Sequence, residues 1–339
     1  MPGDALAREV LAGEEAWIVG GAVRDRLLGR DVVDVDIACR EPEQAARRYA
    51  KRSGGAPFPV SVRHGAWRVA LADGRTIDFT PLTSTIEDDL ATRDFTINAI
   101  AEPLAGGEAV DPFGGREDIE ARVVRAVSDG ALEADPLRLL RAVRLEDELG
   151  FRMAPETEAL VRKHAGLASQ PAGERILGEL RRLSAAGFRR LDELGLLAPL
   201  GGSLDGPLDS VDSPDFRLVA VFGERLRRFP VSRGLARYAR ALLRAERPGD
   251  GSPRAIHRFR RATEPWTLDA LAFVGAEELA DAVREARERE PDEPLLRGDE
   301  LGLPPGPEIG RLLELVEEER AAGTISTKEE ALELARRSR

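Results

Sequence analysis

The run DVVDVDIA, residues 31–38, alternates acidic and apolar side chains with a period of two. In a strand, that period puts Val33, Val35 and Ile37 on one face and Asp34 and Asp36 side by side on the other. The apolar face can enter a core. The acidic face carries two like charges that resist joint ionisation, and a divalent cation relieves that repulsion; all-oxygen carboxylate ligation favours Mg2+. An edge strand whose aspartates merely face water has the same pattern, so the neighbouring residues must decide between the two readings.

Just upstream, the short apolar strand WIVGG ends in Gly20 and Gly21. Glycines there let the backbone approach closely and leave N–H groups at the start of the next helix, AVRDRLLGR, open to an anion. Arg24 lies one turn along, placed to pair with phosphate oxygens. Phosphate beside a carboxylate-bound metal is the arrangement that nucleotidyl transfer needs. A third carboxylate, Asp78 in TIDFTPL, stands between Ile77 and Phe79 and so faces away from the core side of its own strand. It is expected to join Asp34 and Asp36.

Residues 1–126 read as mixed α/β. A helix runs from Pro42 to a stop at Gly54, and strands follow in VSVRHGAWRVALADGRTIDFTPL, turning at Asp73-Gly74. Beyond residue 127 strand signals vanish and Leu- and Arg-rich helices are expected over 136–149, 156–168, 173–199, several stretches of 215–289, and 307–337. The fold class is therefore α+β, a small mixed-sheet head followed by an elongated all-α arm. Pro/Gly clusters divide it into a head (1–126), a neck (127–199), a body (200–295) and a tail (296–339).

No apolar run approaches the roughly 18 residues a membrane span requires, and the N-terminus lacks a signal pattern, so a cytoplasmic protein without a membrane is expected. The lone Cys39 excludes an internal disulfide or a cysteine-based zinc site, and His64, His164 and His257 stand in no metal-ligand spacing. A net charge of −11 argues against a histone-like nucleic-acid binder, yet arginines cluster in LRLLRAVR, ERILGELRRL and HRFRRA, which leaves local basic faces open. In the arm such runs read as solvated faces rather than RNA contacts.

In EADPLRLLRAVR, Asp135 precedes Pro136 as an N-cap precedes proline at the first helical position. Arg138, Arg141 and Arg144 then recur along one side, while Leu137, Leu140 and Val143 can point inward. Beyond capping, a carboxylate beside a guanidinium can hydrogen-bond the Watson–Crick edge of cytosine or, after a small shift, of adenine.

Four segments, GGAVRDRLLGRDVVDVDIA, EDDLATRDFTINAIA, VDPFGGREDIEARVVRAV and EADPLRLLRAVRLEDELGF, resemble in order and spacing the tRNA nucleotidyltransferase and bacterial poly(A) polymerase family of the DNA polymerase β-like superfamily. PAGERILGELRRL and LLRGDELGLPPGPEIGRLLELV are similar to its helical middle and tail. The resemblance implies that Asp34, Asp36 and Asp78 are catalytic and hold Mg2+. It also implies that Gly20, Gly21 and Arg24 contact nucleotide phosphates and that Arg93 and Asp94, with Asn98 one turn on, lie near the ribose and phosphates. Asp135 and Arg138 would act as a protein template for the base, assisted by Arg141 and Arg144. The partners implied are the tRNA 3′ acceptor end, bound by the arm, and CTP, with ATP as a further substrate.

The chain departs from the family twice. Ala134 stands where the family usually has Glu, and only 12 residues separate Phe79 from Thr92, so the flexible loop of CCA-adding relatives is trimmed. That shortening resembles enzymes that add two cytidines and leave the terminal adenosine to a separate A-adding enzyme. Addition of CC is therefore expected; the alternatives are complete CCA addition, poly(A) synthesis, and non-catalytic tRNA binding. With no His-Asp dipeptide in the chain, the phosphohydrolase activity of some relatives is not expected.

Overall fold

The alternating segment forms a strand in the interior of a six-stranded mixed sheet. The computed structural model describes residues 2–61, 65–291 and 293–339; His64 and the middle of the VSVRHG segment, 62–64, lie outside the described residues. The chain divides into two units, 1–200 and 201–339. The first runs α1 (Pro2–Val10), β1 (Ala16–Val19), α2 (Gly21–Leu27), β2 (Asp34–Cys39), α3 (Pro42–Ser53), β3 (Ala56–Ser61), β4 (Ala66–Ala70), β5 (Thr76–Pro81), α4 (Ile86–Ala91), β6 (Ala101–Pro103) and α5 (Gly115–Ala121). It continues through β7 (Val123–Val124), α6 (Ala131–Ala134), α7 (Leu137–Leu149), β8 (Arg152–Met153), α8 (Pro155–His164), α9 (Gly173–Leu180), α10 (Ala185–Glu193) and α11 (Leu197–Leu200).

Strand order is β3-β4-β5-β2-β1-β6. β2 runs antiparallel to β1, with Asp36 opposite Val19, and parallel to β5, with Asp36 beside Asp78 and Asp34 beside Thr76. Val35, Ile37, Ile77 and Phe79 are buried, and the ring of Tyr49 in α3 meets Phe79 at a centroid distance of 5.8 Å. Burying each such side chain contributes roughly 1.5–3 kcal/mol, so the apolar half of the alternation fixes which way the aspartates point. β3 starts at Ala56, before the expected Val60, and includes Pro57 and Pro59. Prolines cannot donate to a ladder, and β3 tolerates them because it is an edge strand.

The connection from β5 to α4 is only residues 82–85. Its first residue, Leu82, is buried and donates its N–H to the Cys39 carbonyl at 2.8 Å. Its last, Thr85, forms a reciprocal capping box with Asp88. The chain then turns through residues 92–98, held from behind by α5. There Asp111 accepts from the N–H groups of Gly115 (2.7 Å) and Arg116 (2.9 Å), and the buried Asp118 accepts from the Thr96 hydroxyl (2.6 Å).

Two helical expectations are corrected in this unit. The stretch 173–199 is three helices: Ser184, whose hydroxyl accepts from Gly187 N–H and is held by Asp147 at 2.6 Å, starts α10, and Gly195 at φ +76° ends the turn after it. A two-residue parallel pair, β7 with β8, also lies beyond residue 127 in part; Val124 pairs with Met153, a ladder too short to give a period.

The second unit is helical: α12 (Pro214–Phe222), α13 (Arg233–Leu243), α14 (Pro253–Thr263), α15 (Thr267–Phe273), α16 (Ala280–Glu288), α17 (Pro307–Ala321) and α18 (Lys328–Arg337). The expected 307–337 helix is broken at Gly323 (φ +74°), and a Thr327–Glu330 capping box starts α18. Two of the HRFRRA arginines are tied to acids, Arg258 to Glu318 (2.5 Å) and Arg260 to Glu264 (3.1 Å), as is Arg254 just upstream, to Glu319 (2.6 Å). Among the described residues no helix is long and apolar enough to cross a membrane.

A Cβ on Gly115 would lie 2.2 Å from the Thr96 carbonyl oxygen and 2.8 Å from Ile100 Cγ1. Gly115→Ala must therefore push α5 off the 92–98 turn. We expect a loss on the order of 2 kcal/mol or more, read as a lower denaturant midpoint.

Candidate active site

A cleft of about 650 Å³ opens over the acidic face of β2. Asp34 and Asp36 line it from the strand, Gly20, Gly21 and Arg24 from the β1–α2 junction, and Arg93, Asp94 and Asn98 from the turn after α4. Arg138, Arg141 and Arg144 line it from α7. Asp78 and Asp135 are not in its lining.

Register explains the acidic cluster. Asp34 accepts from the Thr76 hydroxyl at 2.7 Å. Asp36 lies between Val19, at the end of β1, and Asp78, and no donor among the described residues hydrogen-bonds its carboxylate. Burial pushes its pKa up to about 6; the nearby Asp78 and Asp34 add to the rise while Arg93 and Arg68 oppose it. Gly20, at φ +74°, lets this carboxylate approach the chain: a Cβ there would lie 3.2 Å from Asp36 Oδ2 and 3.0 Å from Arg93 Nη1. Asp78 is held by both nitrogens of a bidentate Arg68 fork, at 2.6 and 2.7 Å. Arg68 escaped the sequence reading, although folding AWRVA back on TIDFT about Asp73-Gly74 puts it opposite Asp78.

A second chain of contacts spans the cleft. Arg24 donates to Asn98 Oδ1 (2.6 Å) and also pairs with Asp25 (2.9 Å). The Asn98 amide donates in turn to Asp94 Oδ1 (3.0 Å), which also accepts from Phe95 N–H (2.8 Å), and Asp94 Oδ2 pairs with Arg141 (2.9 Å). Glu179 of α9 then joins Arg141 (3.3 Å) to Arg144 (2.8 Å). Asp94 and Glu179 are 6% and 8% exposed. Burial alone would raise Asp94, but the Arg141 guanidinium, with the Asn98 amide and Phe95 N–H, holds its carboxyl below the usual carboxylate range. Arg93 is tied to Asp89 at 2.8 Å.

The structure separates the two residues expected to read the base. Arg138 donates to the main-chain carbonyls of Thr92 (2.7 Å), Arg93 (3.1 Å) and Ala131 (3.1 Å). Asp135 pairs with Arg175 of α9 at 2.8 Å and accepts from Leu137 N–H at 3.2 Å. Pro136, expected as the first helical residue, is instead the N-cap of α7, and Ala134 is exposed at the end of α6. Arg175 and Glu179 both lie in the ERILGEL segment, where the sequence reading assigned them no role.

A family profile described as the Poly A polymerase head domain matches residues 16–125, and one described as a probable RNA- and SrmB-binding site of polymerase A matches residues 150–201. A CC-adding tRNA nucleotidyltransferase of Geobacter sulfurreducens is 34% identical over 96% of this chain and 92% of the relative. An A-adding tRNA nucleotidyltransferase of Deinococcus radiodurans is 32% identical over 93% and 94%. The crystal structure of the Bacillus stearothermophilus CCA-adding enzyme in complex with CTP superposes with a TM-score of 0.77 at 28% identity, covering 100% of this chain and 98% of that one. This chain belongs to the tRNA nucleotidyltransferase family.

Members of the family use a divalent metal, and the nucleotidyltransferase site fits one. Asp36 is a desolvated carboxylate without a donor beside a second cleft-facing carboxylate, Asp34. Among the described residues no three acids are arranged to hold a metal ion, so an ion held by Asp34 and Asp36 would draw its other ligands from water and phosphate oxygens.

Because the folded state binds the Asp36 proton more tightly than the unfolded chain does, its contribution to the stability of the metal-free protein falls as pH rises from about 4 through about 6. Asp36→Asn should raise Tm most above pH 6, with the gain vanishing towards pH 4; melts across pH 4–8 in a chelator test this. Arg68→Gln leaves Asp78 unbalanced beside Asp36, so it should lower the Tm of the chelated protein, with Mg2+ or Mn2+ restoring more of it than in the parent.

Proposed function

We propose that this nucleotidyltransferase adds two cytidines to the 3′ end of tRNA, transferring CMP from CTP and releasing pyrophosphate. The observation that supports stopping at CC is the four-residue link 82–85, anchored at Leu82 by the Cys39 carbonyl and at Thr85 by its capping box. Such a link has no slack with which to help re-aim the base-reading residues for ATP.

In this reading Asp34 and Asp36 hold Mg2+, with Asp78 joining them once Arg68 releases it. The ion, when bound, supplies charge stabilisation at the transferring phosphoryl group and acidifies the primer hydroxyl. Arg24 and the backbone at Gly20 and Gly21 receive phosphate oxygens, and Arg93 adds a second guanidinium on the same side. Asp94, held by Asn98 and Arg141, keeps one acceptor position on Oδ2 for a ribose hydroxyl. Cytosine is read by Asp135 and Arg138, which requires Asp135 to leave Arg175 and Arg138 to give up its carbonyl partners; the Arg141–Glu179–Arg144 clamp keeps the rest of the arginine face in place meanwhile. The division into head (1–126), neck (127–199), body (200–295) and tail (296–339) is part of the same proposal, with the body binding tRNA.

The test is incorporation on tRNA ending at the discriminator base, with Mg2+ and either CTP alone or CTP plus ATP, resolved at single-nucleotide length. Two added residues in both mixtures are expected. A third residue only with ATP would establish complete CCA addition instead, and tailing of unstructured RNA in preference to tRNA would favour a poly(A)-type activity. Asp34→Ala or Asp36→Ala should lower the rate by at least about 100-fold while leaving tRNA binding intact; an unchanged rate would remove these residues from the chemistry.

A further inference from the structure

α13 carries a feature that the cleft does not use. Arg233, Arg237, Arg240 and Arg244, the last at the C-cap, recur at i, i+4, i+7 and i+11, and all four are exposed. At 100° per residue they fall within an arc of roughly 60°, and they span about 16 Å along the axis. The opposite side holds the buried Leu235, Tyr238, Ala239 and Leu242, so packing fixes the arginine stripe towards solvent.

None of the four has a carboxylate partner among the described residues. Many other arginines of this unit are matched to acids, among them Arg254 to Glu319, Arg258 to Glu318, Arg260 to Glu290, Arg287 to Glu264 and Arg217 to Asp212. The Arg237 guanidinium lies over the Trp266 ring, 5.8 Å from its centroid, an aromatic rather than a carboxylate partner. The stripe also works against its own helix. Like charges at i and i+4 repel, Arg233 stands at the positive end of the helix dipole, and the first turn contains no acid. A chain with a net charge of −11 has acids to spare for balancing it, and places none here.

We propose that this face of α13 is a docking surface for the phosphate backbone of RNA. An array of arginines whose Cβ atoms stand about 5–6 Å apart can face two or three successive phosphates of a strand, and binding gains from releasing the counterions condensed there. The surface recognises charge and spacing, not sequence. The inference rests on the reading above that tRNA is the substrate, and it names the part of the body that holds it.

The experiment uses the full chain and tRNA lacking its CCA end, with dissociation constants from fluorescence anisotropy between 50 and 300 mM salt. Replacing all four arginines (R233Q, R237Q, R240Q, R244Q) is expected to weaken binding by about 10- to 100-fold at 100 mM salt and to flatten the slope of log Kd against log salt by about two to three. The KM for tRNA should rise by the same factor while kcat with CTP at saturating tRNA stays unchanged. The fourfold lysine variant should keep most of the affinity. Because the four side chains are exposed and repel one another, Tm should not fall in the glutamine variant, which separates lost contacts from lost folding. If the parent binds tRNA and the glutamine variant matches it in Kd and salt slope, the surface is not an RNA site. Loss of binding to anionic vesicles with tRNA affinity unchanged would likewise overturn it. If the parent itself fails to bind or extend tRNA, the functional reading falls, independently of the stripe.

Discussion

Parallel pairing of β2 with β5 sets Asp36 beside Asp78 and two residues from Asp34, and much of the first unit serves to carry that concentration of negative charge. Arg68 takes Asp78, the Thr76 hydroxyl takes Asp34, and Asp36 is left without a donor, with burial pushing its pKa up to about 6. The glycine at the end of β1 is needed because a side chain there would enter the same space. The resting site is thus a partly balanced anion cluster whose unsatisfied member faces the cleft, an electrostatic condition that favours a cation.

The opposite wall is organised by a different device. Asp94 is buried and bonded through both carboxylate oxygens, and through it a chain of hydrogen bonds and ion pairs runs from Arg24 to Arg144 by way of Asn98, Arg141 and Glu179. Removing one member of such a chain strands the others in a poorly solvated site. The helix α2 and the arginine-bearing helix α7 are therefore mechanically joined, although they are more than a hundred residues apart in the chain. Asp135 and Arg138 stand outside this chain, each on partners that can be exchanged, which leaves the pair proposed to read the base adjustable beside a rigidly joined wall.

In the second unit the same arginine chemistry divides into two uses. Where arginines meet acids, as between α14 and α17, they join helices; where α13 presents them without acids, they oppose the helix that carries them and suit an external polyanion. Composition cannot separate these uses, because both appear in sequence as Arg-rich helical stretches.

What was legible in the sequence was set by local periodicity and backbone permissiveness. The period of two put Val35 and Ile37 in the core and Asp34 and Asp36 in the cleft, while Val33, expected with them in the core, lies before the strand and is exposed; Gly20, Gly54 and Asp73-Gly74 ended elements where predicted because few other residues accept those turns. The breaks in 173–199 and 307–337 were less visible, since Ser184 and Gly323 interrupt a periodicity that otherwise continues on both sides. Tertiary structure alone decided who partners whom. Arg68 meets Asp78 across a hairpin, Arg175 meets Asp135 from a helix forty residues away, and Glu179 reaches two arginines at once. A sequence determines which groups are charged and which face they occupy. Which charges are neutralised, and which remain free for a ligand, depends on distances between side chains far apart in the chain, and those exist only once the core has packed.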